Sequence, residues 1–148
     1  MNPTTSSQEV FEQINHEHEA LREKLRRIHD VLAGPEPAPN EIATLLREFE
    51  AALEIHFSNE EQDGFFNEVT THAPLLTHEA DRLCVEHEQL RRTAAELCRF
   101  AAAGSPSIPW WRELGSRCHA FSKLLMHHES EENQLLQQAH RQDIGVVD

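Results

Sequence analysis

The residues best suited to chemistry in this chain form one pattern used twice, a lone histidine followed by a His-x-x-x-Glu pair. His18 precedes His56 and Glu60, and His87 precedes His128 and Glu132. On a helix, residues four apart lie one turn apart on the same face. Each His-x-x-x-Glu therefore aims an imidazole and a carboxylate at one spot. Two such helices, with two more giving one histidine each, would bring four nitrogens and two carboxylates into the middle of a bundle. That donor set contains no thiolate and suits a pair of transition-metal ions, iron above all.

Four helices must position these donors, and the breaks in the sequence supply them at about residues 6–33, 40–65, 75–103 and 108–138. Ser6 with Glu9 reads as a capping box for the first helix. Pro35, Pro37 and Pro39 end it, since such a run is no helix interior. Asn40 is the expected N-cap of the second helix, which ends around Asp63-Gly64-Phe65-Phe66. The third starts just after Pro74 and stops near Gly104. Ser107 and Pro109 make the N-cap and first turn of the fourth, which ends before the tail DIGVVD. Short loops between long helices predict an all-α, antiparallel up-down four-helix bundle, a single domain over residues 1–148.

Apolar spacing places the histidines on the buried seams. Helix one reads Ile14, His18, Leu21, Leu25, Ile28 and Leu32, in alternating steps of four and three. Helix three reads Leu83, His87, Leu90, Ala94 and Leu97 in the same rhythm, and helix two reads Ile42, Leu46, Phe49, Leu53, His56 and Glu60. Helix four offers both His127 and His128, and both Glu131 and Glu132. A shift of 72 positions carries Ile42 onto Leu114, Phe49 onto Phe121, Leu53 onto Leu125, His56 onto His128 and Glu60 onto Glu132. A shift of 71 instead puts Glu113 and Arg117 on the buried face. His128 and Glu132 are therefore the expected donors, unless a π-bulge reverses the choice. The segment His18-Glu19-Ala20-Leu21-Arg22 also matches His87-Glu88-Gln89-Leu90-Arg91, so the halves read as a pseudo-twofold pair.

Burying four imidazoles and two carboxylates without partners costs many kcal/mol. Metal ions remove that cost by taking the lone pairs, whereas the alternative is a polar seam of mutual His–Glu hydrogen bonds. His16, His29, His72, His78, His119, His127 and His140 read as solvated or peripheral, and most acidic residues as exposed helix faces. Trp110 and Trp111 read as packing anchors. Cys84, Cys98 and Cys118 lie in no C-x-x-C spacing, which argues against a cysteine zinc site and for reduced thiols in the cytoplasm. A formal charge of −13 argues against nucleic acid and anionic membranes as partners. No apolar run approaches the roughly 20 residues of a membrane span, and the polar start MNPTTSSQEV is not expected to be a signal peptide.

At these residues the sequence resembles the hemerythrin-like, His-His-Glu cation-binding family. His56-Phe57-Ser58-Asn59-Glu60-Glu61 is similar to that family's second-helix motif. Glu-His-Glu-Gln-Leu around His87 is similar to the third, and His127-His128-Glu129-Ser130-Glu131-Glu132-Asn133 to the fourth. The resemblance implies a four-helix bundle around a non-haem diiron centre with bridging carboxylates and an oxo or hydroxo bridge. Glu60 and Glu132 would bridge the irons, with His18 and His56 capping one and His87 and His128 the other. Which lone histidine joins which pair depends on the handedness of the bundle. Oxygen-carrying members have a further histidine one turn before the position of His87, where this chain has Leu83. The set of four histidines and two glutamates is instead similar to bacterial proteins that repair iron centres damaged by nitric oxide or oxidants. Those carry an additional N-terminal cysteine-containing domain, for which 148 residues are expected to leave no room.

The expected function is a non-haem diiron protein that binds, senses or reacts with oxygen, peroxide or nitric oxide, with enzymatic turnover left open. Iron storage, delivery or sensing is one alternative, and a metal-free helical interaction module is the other.

Overall fold

The computed structural model describes residues 7–62 and 64–147, with side chains through residue 141. The chain forms α1 (Ser7–Ala33), α2 (Pro39–Gln62), α3 (Phe65–His72), a 3-10 turn over Pro74–Leu76, α4 (Thr77–Ala103) and α5 (Ile108–Val147). The described residues contain no strand. The four long helices α1, α2, α4 and α5 form the expected bundle: α1 packs on α2 and α5, and α4 packs on the same two. Neighbouring helices run antiparallel. Phe11 on α1 meets His140 late in α5, whereas His29, a few turns along α1, bonds to Ser122 earlier in α5.

Several boundaries differ from the sequence reading. The second helix ends at Gln62 rather than 65, and Phe65–His72 forms a separate helix, α3, that the reading did not contain. The last helix continues past 138 and through the expected tail to Val147. Asn40 is not the N-cap of α2. Pro39 is already helical, and the Ala38 carbonyl accepts the first bond, from the Ile42 N–H, at 3.1 Å. Pro39 thus occupies the first helical position, where a missing N–H and a fixed φ cost nothing. Ser6, the proposed cap of α1, lies outside the described residues. The expected cap of the last helix is present: Ser107 Oγ accepts from the Trp110 N–H at 3.2 Å. Gly104 lets the turn before it close over this corner, since a Cβ there would fall 1.7 Å from the Trp110 indole nitrogen.

The interior is layered. One apolar cluster joins Leu21, Leu25 and Ile28 to Ile42, Leu46, Leu90, Leu97, Leu114 and Phe121. A second, at the other end, joins Val10 and Ile14 to Phe65, Val69, Ala80, Leu83, Leu135 and Leu136. Helix α3 belongs to this second cluster and closes that end of the bundle. Between the two clusters lies a polar layer, and the alternating four-and-three spacing puts one turn of each long helix into it. No described helix is long and apolar enough to cross a membrane.

Candidate metal centre

His18 of α1, His56 and Glu60 of α2, His87 of α4, and His128 and Glu132 of α5 all lie in this polar layer, each 2% exposed or less. Their donor atoms gather into two overlapping groups. One is His18, His56, Glu60 and Glu132; the other is Glu60, His87, His128 and Glu132. The two glutamates are common to both, so the structure pairs His18 with His56 and His87 with His128. In each pair the rings stand edge to face with centroids 4.9 Å apart.

The Glu60 oxygens lie 3.2 Å from His56 Nε2, 3.3 Å from His87 Nε2 and 3.8 Å from His18 Nε2. Those of Glu132 lie 3.4 Å from His18 Nε2, 3.5 Å from His128 Nε2 and 3.6 Å from His87 Nε2. None of these contacts is a hydrogen bond. The Nε2 atoms of all four histidines and both oxygens of both glutamates are buried without a hydrogen-bond partner. Groups this costly to bury are normally satisfied. Here they converge with the separations that ligands adopt around a cation, so the residues fit a metal pair.

The outward nitrogens carry the complementary signal. His56 Nδ1 is 2.8 Å from Glu17, His87 Nδ1 is 2.7 Å from Glu61, and His128 Nδ1 is 3.0 Å from Glu86. A carboxylate on Nδ1 fixes the tautomer with Nε2 free to donate its lone pair, the usual support of a metal-binding histidine. Arg91 holds Glu61 through two bonds of 3.0 and 2.8 Å, and Arg82 holds Glu86 at 2.7 Å. The sequence reading treated these acids as exposed faces and missed them. Their signal was adjacency: Glu17 and Glu86 each precede a lone histidine, and Glu61 follows Glu60. One residue off the seam, a side chain meets the neighbouring helix rather than the core.

Without metal the layer is electrostatically frustrated. Burial alone would lower the His56 pKa, but the hydrogen bond to Glu17 and the nearby charges of Glu60 and Glu17 outweigh it and raise the value to about 9. Burial opposes ionisation of Glu60 as well, yet the histidines around it hold its pKa well below the usual carboxylate range. Burial and the neighbouring Glu60 charge push Glu132 well above that range, so the two carboxyls shift in opposite directions. Burial lowers the His128 pKa despite Glu86.

His127 and Glu131 stand outside the layer. The His127 side chain is 75% exposed and pairs with Glu131 on the surface at 2.7 Å. Leu83 is 1% exposed within the second apolar cluster. His16 and His78 are exposed; His29 meets Ser122; and His72 and His140 stack on each other beside Glu68.

A helical bundle with a buried layer of histidines and glutamates, backed by outer carboxylates, defines a metal-binding helical protein. Residues 9–140 match the family model described as hemerythrin HHE cation binding domain, and the chain belongs to that family. No curated protein and no solved structure gives a significant match.

Proposed function

We propose that the polar layer holds two iron ions, with His18 and His56 on one, His87 and His128 on the other, and Glu60 and Glu132 shared between them. The protein then binds, senses or reacts with a small molecule of the oxygen, peroxide or nitric oxide class. The observation that carries this reading is the convergence of four Nε2 atoms and four carboxylate oxygens, all buried and none hydrogen-bonded. A polar seam of mutual hydrogen bonds would have satisfied them. Iron held by these residues would supply a redox-active centre able to take an added ligand.

The chain's own residues shape what reaches that centre. Phe57 stacks on His87 at 3.9 Å, Phe66 meets the same ring edge-on at 6.0 Å, and Leu83 lies buried one turn away on α4. This apolar wall suits a small uncharged ligand on the His87 side. Glu17, Glu61 and Glu86, on the Nδ1 atoms of His56, His87 and His128, would orient each ring with Nε2 toward a bound ion. Three free cysteines suit a reducing, cytoplasmic setting. Metal analysis with an absorption spectrum tests the reading: two irons per chain and a near-ultraviolet charge-transfer band are expected. One tightly held zinc and no such band would end it.

A second reading, iron as cargo, is favoured by a cleft of about 360 Å³ lined by Glu9, Gln13, Glu17, Asn59 and Glu60, which reaches the layer from outside. Cargo iron would pass readily to a chelator, whereas a reaction centre would keep its iron through redox cycling.

A further inference from the structure

The hydrogen bonds around the polar layer follow the pseudo-twofold relation between the halves, with one exception. His56–Glu17 and His128–Glu86 are a matched pair, each acceptor lying one residue before a lone histidine. His87 donates to Glu61, the residue after Glu60. Its counterpart, His18, should then donate to the residue after Glu132, which is Asn133. His18 Nδ1 and Asn133 Oδ1 are both buried and both lack a hydrogen-bond partner. The symmetry breaks at a second place. The shift that carries His56 onto His128 carries Phe57, stacked on His87 beneath Arg91, onto Glu129. Glu129 is 1% exposed, neither of its oxygens is hydrogen-bonded, and Arg22, the counterpart of Arg91, approaches it to 3.5 Å. The cleft adds a third difference, since its lining includes Ile14, one turn before His18, and Glu17, the partner of His56.

We propose that Asn133 is the outer partner of His18, and that this neutral acceptor makes the His18–His56 position the exchangeable member of the metal pair. The inference rests on the two-metal reading. An anionic acceptor on Nδ1 strengthens an imidazole as a ligand, and outer partners of this kind change metal affinity by roughly 10–100-fold. His87 and His128 both have arginine-clamped carboxylates, and His87 is stacked on Phe57. His18 has an amide as its proposed acceptor, and its half lies along the cleft.

The test is the rate at which chelator removes zinc from protein loaded with two Zn²⁺ ions, a readout independent of any activity. Wild type should release one ion about tenfold or more faster than the other. Asn133→Asp should slow the fast phase toward the slow one, and Glu61→Gln should quicken the slow phase. Glu61→Asn gives His87 the same kind of neutral acceptor as His18, so the slow phase should quicken toward the fast one, which keeps the test decisive if Asn133→Asp does not fold. Two ions leaving wild type at one rate, or a fast phase that neither Asn133→Asp nor Glu61→Asn moves relative to the slow one, would overturn the proposal alone. Binding of fewer than two ions overturns the two-metal reading and this proposal with it.

Discussion

At the scale of single residues, phase around the helix decides which of two adjacent donors faces the layer. His128 is 1% exposed and the neighbouring His127 side chain 75%, although the sequence offers them side by side. His128→Ala or Glu132→Ala should therefore reduce the iron bound per chain by half or more, while His127→Ala and Glu131→Ala leave it near the wild-type value. Iron assay of the four purified variants checks this, and loss in the His127 and Glu131 variants instead would refute the assignment. Leu83 offers a converse test. It lies one turn from His87 and is fully enclosed in apolar packing. Leu83→His buries an imidazole that only a metal can satisfy, so the metal-free variant should lose about 2–4 kcal/mol of stability. Metal should recover more of that loss than it adds to wild type, as read from melting with and without metal. A variant equally destabilised in both states would mean that position 83 does not reach the ions.

At the scale of elements, the sequence shows the seams and hides what lies beside them. Alternating steps of four and three made the four long helices legible and put the six donors at one depth. The same reasoning could not find Glu17, Glu61 or Glu86, because residues off the seam are acidic whether they face solvent or a neighbouring helix. Nor did it find α3. Its residues Phe65-Phe66-Asn67-Glu68-Val69-Thr70-Thr71-His72 span two turns, too few for a helical period to emerge, and include three β-branched side chains. Tertiary contact overrides that weak propensity, for Phe65 and Val69 are fully buried at the end of the bundle. Phe65→Ala should cost about 3–5 kcal/mol in a denaturant titration and quicken loss of metal, since the second apolar cluster would open beside the layer. A small cost with unchanged metal release would mean that α3 does not seal the centre.

At the scale of the whole molecule, protons and metal ions compete for one buried layer. In the metal-free protein His56 holds its proton to about pH 9, against an ordinary value of 6.5. A group whose pKa rises on folding stabilises the fold below its unfolded pKa, and that contribution is lost as pH climbs through the folded value. Glu132, pushed up by burial and by Glu60, acts in the same direction. Melting of the metal-free protein should therefore fall as pH is raised from about 6.5 to 9. Metal binding works the other way. The ions require neutral imidazoles and ionised carboxylates, so binding expels these protons and affinity rises over the same interval. Ligand that binds only the folded state stabilises it in proportion to the logarithm of that affinity. The gap between metal-loaded and metal-free melting temperatures should thus widen steadily across this range. Calorimetry of both forms in matched buffers measures it, and a metal-free melting temperature that stays level or rises toward pH 9 would show that His56 is not the proton-bound group in the empty layer.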